Sequence, residues 1–127
     1  MKVRVLVADD QAPFRRAARS VLGAASGFEL VGEATSGEHA VSLVDSLLPD
    51  VVLMDIGMAG IGGIEAARSI AGTHPETMIV LLSTYREEDL PGKARTCGAA
   101  AYVHKSDFGG QVLRELWVGW RYPDSAR

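Results

Sequence analysis

Three carboxylates, two hydroxyls and one ammonium stand out from the apolar background of this sequence, because each follows a short aliphatic run. Asp9 and Asp10 close "VRVLVADD", Asp55 closes "VVLMD", Ser83 and Thr84 close "MIVLLST", and Lys105 follows "AAAYVH". Taken singly, most need no function: an aspartate after such a run usually forms a turn or caps a helix, and a lysine there is usually a solvated charge. Asp55 differs, because it interrupts "VVLMDI", and a charge among buried apolar residues normally requires a partner.

Brought together, these groups have a definite chemistry. Two carboxylates about 4 Å apart repel by roughly 4 kcal/mol at an effective dielectric near 20, so three of them call for a cation. Lys105 supplies one positive charge. An oxygen-rich site with water ligands suits Mg²⁺, which takes one or two carboxylates together with phosphate oxygens. Zinc is not indicated: Cys97 is the single cysteine, and His39, His74 and His104 fall on different segments. A carboxylate nucleophile beside a divalent cation, with a lysine and a hydroxyl in reach, is equipped to form an aspartyl phosphate.

Such a site exists only if the fold brings these strand ends to one edge. The runs at 3–8, 28–34, 51–54, 78–83 and 99–103 are short, rich in valine, leucine and isoleucine, and barely alternate, as strands covered on both faces do. Amphipathic stretches separate them. Phe14, Ala17, Ala18, Val21 and Leu22 share a helical face, with Pro13 in the first turn and Gly23 as the stop. Val41, Val44 and Leu48 form a second stripe behind Ser36 as cap, Ile64, Ala67 and Ala71 a third, and Val112, Leu113, Leu116, Trp117 and Trp120 the last. The fourth connection, "REEDLPGKARTCG", holds Pro91 and Gly92 inside its helical window, so the weakest helix is expected there. Five strands alternating with helices predict a doubly wound α/β fold with a parallel sheet and helices on both faces. Ligands of such folds bind outside the carboxyl ends of the strands, where the strand order reverses.

Composition narrows the function classes. At 127 residues and 47% hydrophobic content, one globular domain with its own core is expected over residues 1–127. A net charge of -3 without a dense basic patch argues against direct nucleic-acid binding. "MKVRVLVADD" turns acidic too soon for a signal peptide and no apolar run reaches membrane-spanning length, so a cytoplasmic location without membrane contact is expected.

"VADD" (7–10), "LMDIGMAGIGGIEA" (53–66), "LLSTY" (81–85) and "GAAAYVHKS" (98–106), in that order and spacing, resemble the receiver domain of bacterial two-component response regulators. The similarity covers essentially the whole chain, and "DDQAPFRR" and "LLSTYREED" are closest to receivers that usually precede a helix-turn-helix output domain. The resemblance implies a flavodoxin-like sheet of strand order 2-1-3-4-5 and a phosphoprotein that catalyses only its own phosphorylation and dephosphorylation. It implies that Asp55 accepts a phosphoryl group from a sensor histidine kinase or phosphotransfer protein. Asp9, Asp10, Asp55 and the main-chain carbonyl of Gly57 would hold Mg²⁺, and Lys105 would contact a phosphoryl oxygen. Ser83 would be the hydroxyl that moves to the phosphoryl group, with Tyr102 turning inward behind it, and Thr84 would govern access to the aspartate.

The sequence departs from many relatives at Ala59, where they carry proline, at Gly62, where they carry aspartate or asparagine, and at Ser106, where a cis proline is common. A trans peptide is therefore expected before Ser106, and the loop changes leave the metal geometry at Gly57 open. No output domain is expected in this chain, so output would pass to a separate protein or a second copy through the fourth helix, fifth strand and fifth helix. Two other readings stand beside this one. The first is a phosphorylation-independent interaction module; the second is a metal-dependent phosphatase, which expects a second carboxylate where Gly57 stands.

Overall fold

The computed structural model describes residues 1–124. Chain order runs β1 (Val3–Ala8), α1 (Ala12–Ala24), β2 (Phe28–Ala34), α2 (Gly37–Leu47), β3 (Val51–Asp55), α3 (Gly62–Thr73), β4 (Met78–Ser83), β5 (Ala101–His104) and α4 (Gly110–Arg121). All pairings are parallel and the order is β2-β1-β3-β4-β5, as the sequence reading expects. Strand order reverses between β1 and β3, so the edge beyond Ala8 and Asp55 is the place for a site.

Local chemistry explains the helix boundaries. Ser36 caps α2 by accepting the His39 amide at 3.1 Å, and His39 Nδ1 in turn accepts the Thr35 amide at 3.2 Å. This pair satisfies one donor that a helix start leaves unpaired, the His39 amide, and ties the chain before the cap to the same residue. At the other end Leu48 takes a left-handed conformation and lies exposed, outside the stripe expected of it, while the Arg4 guanidinium donates to the carbonyls of Leu47 and Leu48. Gly23 does not stop α1, which runs to Ala24 and ends where Ala25 turns extended.

The expected fourth helix is absent. Its place holds two short 3₁₀ turns, Glu87–Asp89 and Gly92–Arg95. Leu90, pinned ahead of Pro91, takes φ -70 and ψ 142, which no α-helix can pass through. Proline and glycine together outweigh the modest helix preference of the flanking residues. The helix expected as the fifth is therefore α4, and the expected output face consists of the 3₁₀ turns, β5 and α4.

Alternation along the buried strands sorts side chains to two cores. Leu6, Val52, Met54, Ile79 and Leu81 pack with Ala40, Val44, Ala67 and Ile70 under α2 and α3. Val5, Val7, Leu53, Val80 and Leu82 pack with Ala18, Leu22 and Leu113 under α1 and α4. Trp117 packs against this second core, and Trp120 is 37% exposed. Among the described residues, no helix is long and apolar enough to cross a membrane.

Candidate functional site

The same alternation aims the site. Ala8 pairs with Met54 in register, so Asp9 and Asp55 come out side by side, both in phase with the α1 and α4 face. Lys105 is in phase with Val103 on that face. The three side chains converge: Lys105 Nζ lies 2.7 Å from Asp9 Oδ2 and 3.5 Å from Asp55 Oδ1. Asp9 is fully buried and Asp55 is 7% exposed. Phe14 passes beneath the ammonium, 4.6 Å from Nζ to the ring centre, so the lysine is held by two carboxylates and an aromatic face.

Asp10 completes the cluster from the rim. Asp9, Asp10 and Asp55 each offer an oxygen, and these oxygens lie within 4.8 Å of one another. Asp9 Oδ1 accepts the Gln11 amide at 2.8 Å, which fixes the carboxylate. Its Oδ2 touches the Lys105 ammonium but, among the described residues, accepts no well-directed hydrogen bond. A buried carboxylate oxygen with a single ammonium beside it, next to two further carboxylates, leaves the negative charge in excess and fits a hard divalent cation.

Asp55 is held protonated to a higher pH than an ordinary aspartate. Burial is the main cause and the Asp9 charge adds to it, while Lys105 and the Gly57 amide pull the other way. The Gly57 amide donates to Asp55 Oδ1 at 3.4 Å. Asp55 is thus a largely buried carboxylate whose charge the site only partly compensates.

The loop between Asp55 and α3 is fastened at four points. The Gly63 amide donates to the Ile56 carbonyl at 3.2 Å, and the Ile61 amide to Glu38 Oε1 at 2.8 Å. The Gly37 amide donates to the Ala59 carbonyl at 3.1 Å, and the Ala59 amide to Asp10 Oδ2 at 3.2 Å. Accepting the Ile61 amide holds the Glu38 carboxyl below the usual range. Position 63 must be glycine, because a Cβ there would stand 2.0 Å from the Asp55 carbonyl oxygen. The peptide before Ser106 is trans, as expected.

On the opposite wall, buried Ser83 accepts the Tyr85 amide on its Oγ at 3.0 Å, and Thr84 lies exposed beside it. Tyr102 is half-buried, its hydroxyl donating to the Tyr85 carbonyl. A cavity of about 220 Å³ opens between the walls, lined by Asp10, Asp55 and Lys105 on one side and Ser83, Thr84 and Tyr85 on the other. Gln11 and Gly57 also line it. A larger depression of about 550 Å³ at the amino ends of the strands is lined chiefly by the end of α1 and the start of β2. It lacks a converging set of reactive groups, so the smaller cavity is the candidate site.

Of the residues singled out from the sequence, Asp10, Asp55, Gly57, Ser83, Thr84 and Lys105 line one cavity, Asp9 is buried against Lys105, and Tyr102 lies outside the lining. Three participants escape sequence reasoning. Gln11 carries no signal beyond its neighbours, and Phe14 reads simply as helix core. Ala59 has a signal in hindsight: unlike proline, it has an amide N–H to give to Asp10.

The response regulator receiver domain family model matches residues 5–116. Response regulator UvrY of Escherichia coli (strain K12) is 39% identical over 123 residues, covering 94% of this chain and 56% of that protein. Response regulator GacA of Pseudomonas viridiflava is 37% identical, over 94% of this chain and 58% of that protein. The chain therefore spans a little over half the length of these relatives. Among solved structures, the signal receiver domain of NarL from Mycobacterium tuberculosis superposes with a TM-score of 0.85 at 30% identity, covering 95% of this chain and 98% of that one.

Proposed function

Because the chain belongs to the family of response regulator receiver domains, we propose that it takes a phosphoryl group from a phosphohistidine of a sensor histidine kinase or phosphotransfer protein onto Asp55. The observation that carries this reading is the convergence of Asp9, Asp10 and Lys105 on a buried Asp55 at the sheet edge where strand order reverses. An Asp55 oxygen forms the new P–O bond while the P–N bond breaks, its electron pair staying on the imidazole. Mg²⁺, held by Asp9, Asp10, Asp55 and the main-chain carbonyl of Gly57, supplies neutralisation for the phosphoryl oxygens when bound.

Each residue of the chain has a part in this transfer. Lys105 moves from its place between Asp9 and Asp55 to a phosphoryl oxygen, where its charge offsets the negative charge of the transferring group. Ser83 gives up the Tyr85 amide and donates its hydroxyl to the phosphoryl group, and Thr84 sets how freely water and phosphodonor reach Asp55. Tyr102 follows into the space behind Ser83, which alters the surface made by the 3₁₀ turns, β5 and α4. A downstream protein or a second copy reads that surface, and residues 1–127 act as one receiver domain whose only chemistry is its own phosphorylation and dephosphorylation. The phosphorylation-independent alternative is not favoured: Asp10, Asp55, Ser83, Thr84 and Lys105 line one cavity, with an Asp9 oxygen within 4.8 Å of those of Asp10 and Asp55, and this supports transfer.

Incubation with acetyl phosphate and Mg²⁺, read by intact mass, tests this directly. The wild-type chain gains one phosphoryl unit, mapped to Asp55. No mass gain, or a gain mapped elsewhere, overturns the proposal.

A further inference from the structure

We propose that His104 is a positioning residue for the switch, an imidazole latch that holds the chain just beyond Ser83 in its unmodified arrangement. This rests on the reading of Ser83 as the hydroxyl that follows phosphorylation of Asp55. His104 pairs with Ser83 in the β4–β5 register, and alternation along β5 puts its side chain on the same face as that of Tyr102. His104 Nε2 lies 2.8 Å from the Thr84 carbonyl oxygen. On the other side of the ring, the Ser106 amide donates to Nδ1 at 3.1 Å, with Ser106 Oγ 2.8 Å from the same nitrogen.

These contacts determine the tautomer. A backbone N–H only donates, so Nδ1 is the bare nitrogen, Nε2 carries the hydrogen, and the Nε2–H donates to Thr84. The Ser106 hydroxyl then donates to Nδ1 as well. Anchoring of this kind needs a residue with an amide hydrogen at 106, which the proline common among relatives does not have. The departure at Ser106 and the bond to Thr84 are thus parts of one device.

Its place on the chain gives the device an effect. The two carbonyls that follow Ser83 are both tied to β5, Thr84 to His104 and Tyr85 to the Tyr102 hydroxyl. Movement of Ser83 towards Asp55 carries Thr84 along and pulls its carbonyl off the imidazole. The latch therefore favours the unmodified arrangement and raises the free energy needed to leave it.

Two isosteric variants separate the two halves of the ring. In His104→Asn the amide oxygen replaces Nδ1 as acceptor for Ser106, but nothing reaches Thr84. In His104→Gln the amide NH₂ reaches the place of Nε2 and restores that donation. Loss of the aromatic ring is common to both, so a difference between them reports the latch. With Mg²⁺ present, beryllofluoride binding to the 127-residue chain should tighten about fivefold in His104→Asn, the scale of one net hydrogen bond, and stay within about twofold of wild type in His104→Gln. Equal affinities for the two variants would overturn the latch. A wild-type chain that binds no beryllofluoride would instead count against the Asp55 reading, and the latch is then judged on the unmodified protein. There the Tyr85 amide, which donates to Ser83, should exchange about fivefold faster in His104→Asn than in wild type or His104→Gln; equal rates in all three proteins would refute it.

Discussion

Two segments leave the same edge of the sheet and are secured very differently. The loop after β3, from Ile56 to Ile61, is bonded to Glu38 and Gly37 at the start of α2, to Asp10 after β1, and to the Gly63 amide where α3 begins. The stretch after β4 contains no α-helix, and from Thr84 to Thr96 its only buried residue is Ala94. It is fastened near Ser83 by the Tyr102 and His104 contacts and further along by Arg95, which donates to the Glu87 carbonyl at 3.3 Å. A site for phosphoryl transfer needs donors and charges held in place before the reaction. A surface that reports the reaction needs the opposite, an element of low local stability that a small bias can move.

The comparison breaks most easily at Asp55. Asp55→Asn should abolish labelling by acetyl phosphate altogether, with intact mass as the readout; undiminished labelling would remove the chemistry from this end of the sheet. Asp10→Ala takes one carboxylate from the cluster and should weaken Mg²⁺ binding at least about tenfold by calorimetric titration. Unchanged affinity would exclude Asp10 as a ligand.

A smaller effect comes from stability. The raised Asp55 pKa means that the folded chain holds this proton more tightly than the unfolded chain does, so stability falls as pH rises from the ordinary aspartate range through the folded value. At neutral pH, Asp55→Asn should therefore be more stable than wild type by about 1 kcal/mol, a change of roughly 4 °C in Tm for a domain of this size. The gain should disappear on acidification through the range where aspartates titrate. A gain that persists in acid would show that charge is not its source.

The smallest effect sharpens the account of the fastened loop. Ala59→Pro deletes the amide that donates to Asp10 and leaves the carbonyl that accepts from Gly37. Mg²⁺ affinity should fall about threefold, as expected for losing a solvent-exposed hydrogen bond that orients a ligand. No change in affinity would mean that Asp10 needs no such support.

Much of this was legible in the sequence, for a physical reason. Buried parallel strands are short aliphatic runs whose polar termini must face the same edge, so Asp9, Asp55, Ser83 and Lys105 announce the site before any coordinates exist. Strand parity then sorts them: Asp9, Asp55 and Lys105 fall in phase with the α1 and α4 face, and Ser83 with the α2 and α3 face. The stretch from Arg86 to Gly98 was only half legible: Pro91 and Gly92 signal a weak helix, but whether weakness becomes absence depends on tertiary support that no local pattern encodes. Least legible were contacts made by backbone groups. The Ala59 amide on Asp10 and the Thr84 carbonyl on His104 join residues far apart in sequence through atoms common to nearly every residue.

Hydrogen exchange with and without beryllofluoride and Mg²⁺ tests the central claim most directly, namely that modification at the fastened end moves the loosely held one. The account predicts altered exchange across residues 84–104, with β2 and α2 unchanged. Changes confined to the loops around Asp10 and Asp55, with residues 84–104 exchanging as before, would contradict it.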